Sequence, residues 1–158
     1  MKIIGIDPGY ERLGIAVIEG KRGQETLLHS ECFKTSAKLD FADRLFLLCS
    51  EVEKNIKKYE PELFSIENLF IENNQKTAMR VAEVRGALIL TARRFDIKIV
   101  EYTPLQVKSA IVGFGRGSKN QVEMMVRQLI EIPSDKEAID DEFDAIAIAL
   151  TASASYRE

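Results

Sequence analysis

Histidine is nearly missing from this chain: His29 is the only one in 158 residues. That argues against a zinc site built on several imidazoles and against a nucleophile–histidine pair. Cysteine is scarce too. Cys32 and Cys49 are too few for a disulfide framework and lack metal-type spacing, so both read as reduced thiols of a cytoplasmic protein. No apolar run is long enough to span a bilayer, and Lys2 is followed by a short apolar run and then charge, which makes neither a membrane anchor nor a signal peptide. Nothing repeats and nothing is low in complexity. What is present suits a single domain over residues 1–158: 46% apolar residues for a core and 30% charged residues for a soluble surface.

The net charge of -3 hides an asymmetry. Residues 76–128 carry net +6, whereas residues 129–158 carry net -6. The middle stretch suits a polyanion and the last suits a cation.

Ile3 to Ile6 is a short apolar run stopped by Pro8-Gly9, which reads as a buried strand with Asp7 at its C-terminal rim. Leu13–Glu19 and Glu25–Lys34 read as two further strands, linked so closely that all three form an antiparallel meander. A helix starts at Asp40 and runs to about Tyr59, its apolar positions stepping by three or four. Leu63–Glu67 is a fourth strand and also ends in an acid. Asn73 or Asn74 caps a helix over about 75–95, which carries Arg80. A fifth strand over 97–102 then makes a parallel crossover pair. Pro104 opens a short helix bearing Lys108. The basic loop Gly113-Phe-Gly-Arg116-Gly117 leads into a helix with a Ser118/Gln121 capping box and Lys119, and its amides suit a phosphate. Asp140, expected as an N-cap, opens a last helix rich in Ala and Ile.

Asp141 and Asp144 share a face of that helix. Together with Asp7 and Glu67 they make four carboxylates that repel one another unless a cation lies between them. Hard divalent ions take oxygen ligands. Two of them, about 3.5–4 Å apart, clamp the attacking and leaving oxygens of a phosphoryl displacement.

The order of elements, the strand-end acids and the Asp-x-x-Asp helix resemble the ribonuclease H-like superfamily. Within it the chain is similar to the RuvC family of crossover junction endodeoxyribonucleases. The residues that carry the likeness are Ile6-Asp7-Pro8-Gly9, Glu67-Asn-Leu-Phe70, Ala82-Glu-Val-Arg85-Gly86, Val107-Lys108, Val112-Gly-Phe-Gly115, Ser118-Lys119-x-Gln121-Val122 and Asp140-Asp141-x-x-Asp144-Ala145. The resemblance implies an α/β fold with a five-stranded mixed sheet, three strands antiparallel and two parallel, flanked by helices. It implies catalysis by Asp7, Glu67, Asp141 and Asp144 with two Mg²⁺ ions, Mn²⁺ being an alternative. It places Lys108 and Lys119 near the scissile phosphate and Phe70 at the junction centre, with Arg80 and Arg116 as further DNA contacts. Four-way junction DNA, a homodimer and a branch-migration complex of the RuvA–RuvB type are the implied partners. Glu142-Phe143 departs from the family, which has small residues there, and Glu142 is expected to add charge beside the metals. Rival readings are a nuclease trimming ribosomal RNA precursors, a sugar kinase or chaperone ATPase, and a junction-binding protein without catalysis.

Overall fold

The computed structural model of the chain describes residues 1–69, 75–113, 115, 117–133 and 139–156. Five strands form one sheet in the order β3-β2-β1-β4-β5. They are β1 (Lys2–Asp7), β2 (Arg12–Lys21), β3 (Gln24–Lys34), β4 (Leu63–Glu67) and β5 (Lys98–Tyr102). β1, β2 and β3 pair antiparallel, while β4 runs parallel to β1 and β5 parallel to β4. The mixed sheet expected from the sequence is therefore present. The β2–β3 hairpin is longer than its apolar cores suggest, because pairing continues through Gly20↔Glu25 and Lys21↔Gln24 to the turn at Arg22-Gly23. Gly23 sits there at φ 81°, where a side chain would be strained.

Helices cover both faces. α1 (Phe41–Tyr59) and α2 (Gln75–Arg93) pack against each other and against Ile4, Ile6, Ile15, Val17, Phe64 and Ile66. α3 (Pro104–Val112), α4 (Lys119–Leu129) and α5 (Asp140–Ser155) cover the opposite face. The apolar spacing of α1 does bury one side, with Leu48, Val52 and Ile56 in the core. α2 ends at Arg93, short of the expected 95, since Asp96 takes a left-handed conformation at φ 56°. α5 begins at Asp140 with Ile139 as its N-cap and no side-chain cap. Asp140 is thus the first helical residue, not the cap its type suggested; an acid in that first turn is still favoured by the helix dipole. The Asn73/Asn74 cap lies outside the described residues. Among those described, no helix is long and apolar enough to cross a membrane.

The approach of α5 to the sheet positions the functional site. Small residues line the contact: a Cβ on Gly5 would lie 2.3 Å from the Ala145 carbonyl oxygen, and one on Gly14 would lie 2.2 Å from that of Asp141. Ser65 Oγ donates to the Ile148 carbonyl at 3.1 Å. Side chains alternate across a strand, so Asp7 shares its face with Gly5, and Glu67 shares its face with Ser65. Both acids therefore point to the side that α5 occupies. Gly5→Ala should cost about 2–3 kcal/mol or more, since helix and strand must separate to admit one methyl. Urea unfolding with an unchanged midpoint would show that the contact is looser than these distances.

Candidate active site

Ile6 pairs with Ile66 across parallel β1 and β4, so Asp7 and Glu67, one residue further on, end neighbouring strands side by side. Asp141 and Asp144 come from the first turns of α5, which sits on Gly14 opposite Asp7 in the β1–β2 register. The four acids line one cleft of ≈ 340 Å³ with Pro104, Val107 and Lys108 of α3 and Lys119 and Val122 of α4. Sequence positions from five separate elements thus converge.

Local hydrogen bonds hold each wall. After Asp7 the chain turns through Pro8-Gly9-Tyr10, where Thr35 Oγ1 donates to the Tyr10 carbonyl at 2.5 Å. Arg44 Nε donates to the same Thr35 oxygen at 2.8 Å, and its guanidinium lies 5.1 Å from the Tyr10 ring centroid. Arg85 Nε donates to the Glu67 carbonyl at 2.9 Å, and Arg85 also pairs with Glu101 on β5. Arg85 therefore fixes the end of β4, a role with no local signal beyond its place in the Ala82–Gly86 motif. Lys108 and Lys119 sit on short helices closed by capping boxes at Thr103/Gln106 and Ser118/Gln121. The second of these was legible in the sequence.

The electrostatics are those of crowded like charge. Asp7 is pushed up to about 8, first by burial of its carboxyl and then by Asp144, Glu67 and Asp141, with Lys119 opposing. Glu67 is raised to about 7 by burial and by Asp144, against the pull of Lys108 and Lys119. Burial also raises Asp144, again against Lys119. Among the described residues, no three acid, histidine or cysteine side chains close into a ready-made ligand cluster. The acids instead stand around the cleft, and Asp141 Oδ2 is held by Arg12 Nη2 at 2.6 Å. The donor set still fits a hard divalent cation: it is all carboxylate oxygen and free of soft ligands.

The other expectations divide. Glu142 does not line the cleft: it is buried and accepts a bond from Ser30 Oγ of β3 at 2.8 Å. The helical turn explains this, because one step beyond Asp141 points back under the sheet edge. Phe143 is core, with the Arg127 guanidinium 4.6 Å from its ring centroid. Arg80 does not line the cleft; it lies 4.0 Å from the Phe41 ring centroid and pairs with Glu83 at 3.1 Å. Phe70 and Arg116 lie outside the described residues. Gly115 and Gly117 pack against Leu105 and Val112, which gives two glycines of the basic loop a packing reason. His29 pairs with Glu31 at 3.1 Å and stacks on Tyr59.

A ribonuclease H-like sheet with acids at adjacent strand ends and on the helix across them defines a nuclease of the resolvase class. The yeast mitochondrial Holliday junction resolvase Ydc2 shares this fold, with a TM-score of 0.71 at 14% identity over 96% of this chain and 77% of that one. The chain belongs to the family described as crossover junction endodeoxyribonuclease RuvC, which matches residues 3–152. It is 41% identical over 157 residues to the crossover junction endodeoxyribonuclease RuvC of Ruminiclostridium cellulolyticum, covering 99% of this chain and 94% of the other. It is also similar to Thermus thermophilus RuvC solved in complex with Holliday junction substrate: TM-score 0.90, 31% identity, 97% of this chain and 93% of that one.

The raised Asp7 carboxyl has a measurable consequence. Its unfolded form releases the proton near the ordinary 3.8, whereas the folded form keeps it to about 8. Across that window the folded state binds more protons, so its stability falls as pH rises. Asp7→Asn removes this loss. In EDTA its melting-temperature advantage over the parent should open above about pH 4 and level off above about pH 8. Mg²⁺ should narrow it. A difference that stays flat from pH 4 to 8 would show that neither burial nor the neighbouring acids raise the Asp7 carboxyl.

Proposed function

We propose that this chain resolves four-way DNA junctions by divalent-metal-dependent hydrolysis of phosphodiester bonds. The observation that carries this reading is the cleft itself: four carboxylates from β1, β4 and α5 stand beneath Lys108 and Lys119. Bound Mg²⁺, or Mn²⁺ in its place, supplies a lowered pKa for the attacking water and charge stabilisation at the leaving oxygen. Asp7 and Glu67 hold that charge from the sheet side, and Asp141 and Asp144 hold it from the helix side. Lys108 and Lys119 neutralise the phosphate at the rim and orient it over the acids. Water adds to phosphorus as the bond to the 3′ oxygen breaks, leaving a 5′-phosphate and a 3′-hydroxyl that a ligase can seal.

Paired cuts in strands of like polarity need two sites related by two-fold symmetry, which a homodimer supplies. α2 offers a face for it. Met79, Glu83, Gly86 and Leu90 recur at helical spacing; Met79 is 68% and Leu90 64% exposed, and a Cβ on Gly86 would meet nothing within 4 Å. Two exposed apolar side chains with an open glycine between them suit close approach of a second helix. Family membership supports a branch-migration complex of the RuvA–RuvB type as a further partner.

Two measurements test this. With Mg²⁺ the parent should nick a synthetic four-way junction symmetrically and leave structured RNA intact. Glu67→Gln should be slower by roughly a hundredfold or more, as expected when a metal-binding group is lost. Equal cutting by both proteins, or cutting without metal, would sink the assignment. Light scattering should give a dimer for the parent and a monomer for Leu90→Arg, and a monomeric parent removes the dimer reading.

A further inference from the structure

Arg12 opens β2, two residues before Gly14, and α5 rests directly on Gly14. This places the guanidinium at the first turn of α5, where Nη2 meets Asp141 Oδ2 at 2.6 Å. Arg12 reaches Asp141 from the hairpin, whereas Lys108 and Lys119 come from α3 and α4. Of the four acids, only Asp141 has an ion-pair partner among the described residues. Arg12 stays 48% exposed, so the fold does not depend on burying it.

We infer that Arg12 is the built-in counter-ion of the acidic cleft: paired with Asp141 in the metal-free chain, it competes with divalent cations and sets the concentration at which they fill the site. The inference rests on the metal-dependent reading above. A guanidinium bonded to Oδ2 occupies lone pairs that a cation would use, and its charge raises the cost of bringing a second positive charge to the same carboxylate. The arginine must turn outward, or share the carboxylate, before Asp141 can serve as a full ligand. Its half-exposed position gives it water to turn into, and junction phosphates approaching that rim would offer it a second anion.

The test is a titration of Mn²⁺ alone into the metal-free protein, read as free Mn²⁺ by electron paramagnetic resonance. Parent, Arg12→Leu, Arg12→Lys and Glu67→Gln are compared. Arg12→Leu should bind Mn²⁺ roughly tenfold more tightly than the parent, the scale of one removed like charge at short range. Arg12→Lys, which keeps the charge, should stay near the parent. Unchanged or weaker binding by Arg12→Leu, with a melting temperature like the parent's, would make Arg12 a mere orienting clamp and overturn the inference. Failure of the underlying reading looks different: the parent then binds no Mn²⁺, or Glu67→Gln binds it as well as the parent does.

Discussion

Four carboxylates held around one cleft repel one another, and nearly every local feature of this fold serves to keep them there. Asp7 and Glu67 cannot move apart without breaking the parallel pairing of β1 and β4, which runs to the residue before each acid. Asp141 and Asp144 cannot retreat without lifting α5 off Gly5, Gly14 and Ser65. The repulsion is offset by an apolar contact, since α5 buries Ala145 to Leu150 against the sheet. The helix start also favours negative charge, which lowers the cost of placing two acids in its first turns.

Charge is sorted around this constraint. Groups that would disturb the cleft are turned away from it: Glu142 is bonded to Ser30 beneath α5, and Arg127 covers Phe143 on the α4 side. Groups that suit a polyanion are brought over it. Lys108 and Lys119 lie far apart in sequence from the acids, on two short helices with self-contained capping boxes that hold them at the rim. The net charge of the chain thus says little about this face, where two lysines share a cleft with the acids.

Much of this was legible in the sequence because the signals were local. Pro8-Gly9 marked the end of β1, the short apolar runs of β1 and β4 each closed on an acid, and Ser118 with Gln121 announced the start of α4. The remainder depends on tertiary geometry that spacing does not encode. The Arg12–Asp141 pair exists only because the β1–β2 register seats Gly14 under α5. The direction of Glu142 follows from the rotation of α5 about its own axis, which fixes Asp141 toward the cleft and its neighbour toward β3. The close approach of Gly115 to Leu105 and of Gly117 to Val112 is likewise tertiary, and the spacing of the glycines does not announce it.

The same carboxylates are open to three positive species, and position decides which one each acid takes in the absence of metal. Desolvation is the leading cause of the upward shift at Asp7, Glu67 and Asp144, so burial disfavours the charged form of each. A long cationic side chain reaching them would have to leave water itself, which costs more than its attraction returns unless its geometry is ideal. Asp141 lies within reach of an arginine whose head remains half in solvent, and it takes a guanidinium instead. A small divalent ion differs from both: it accepts several oxygens at once and brings two charges in a small volume. Carboxylates that burial and an arginine set apart from one another still offer such an ion oxygens from every wall of the cleft.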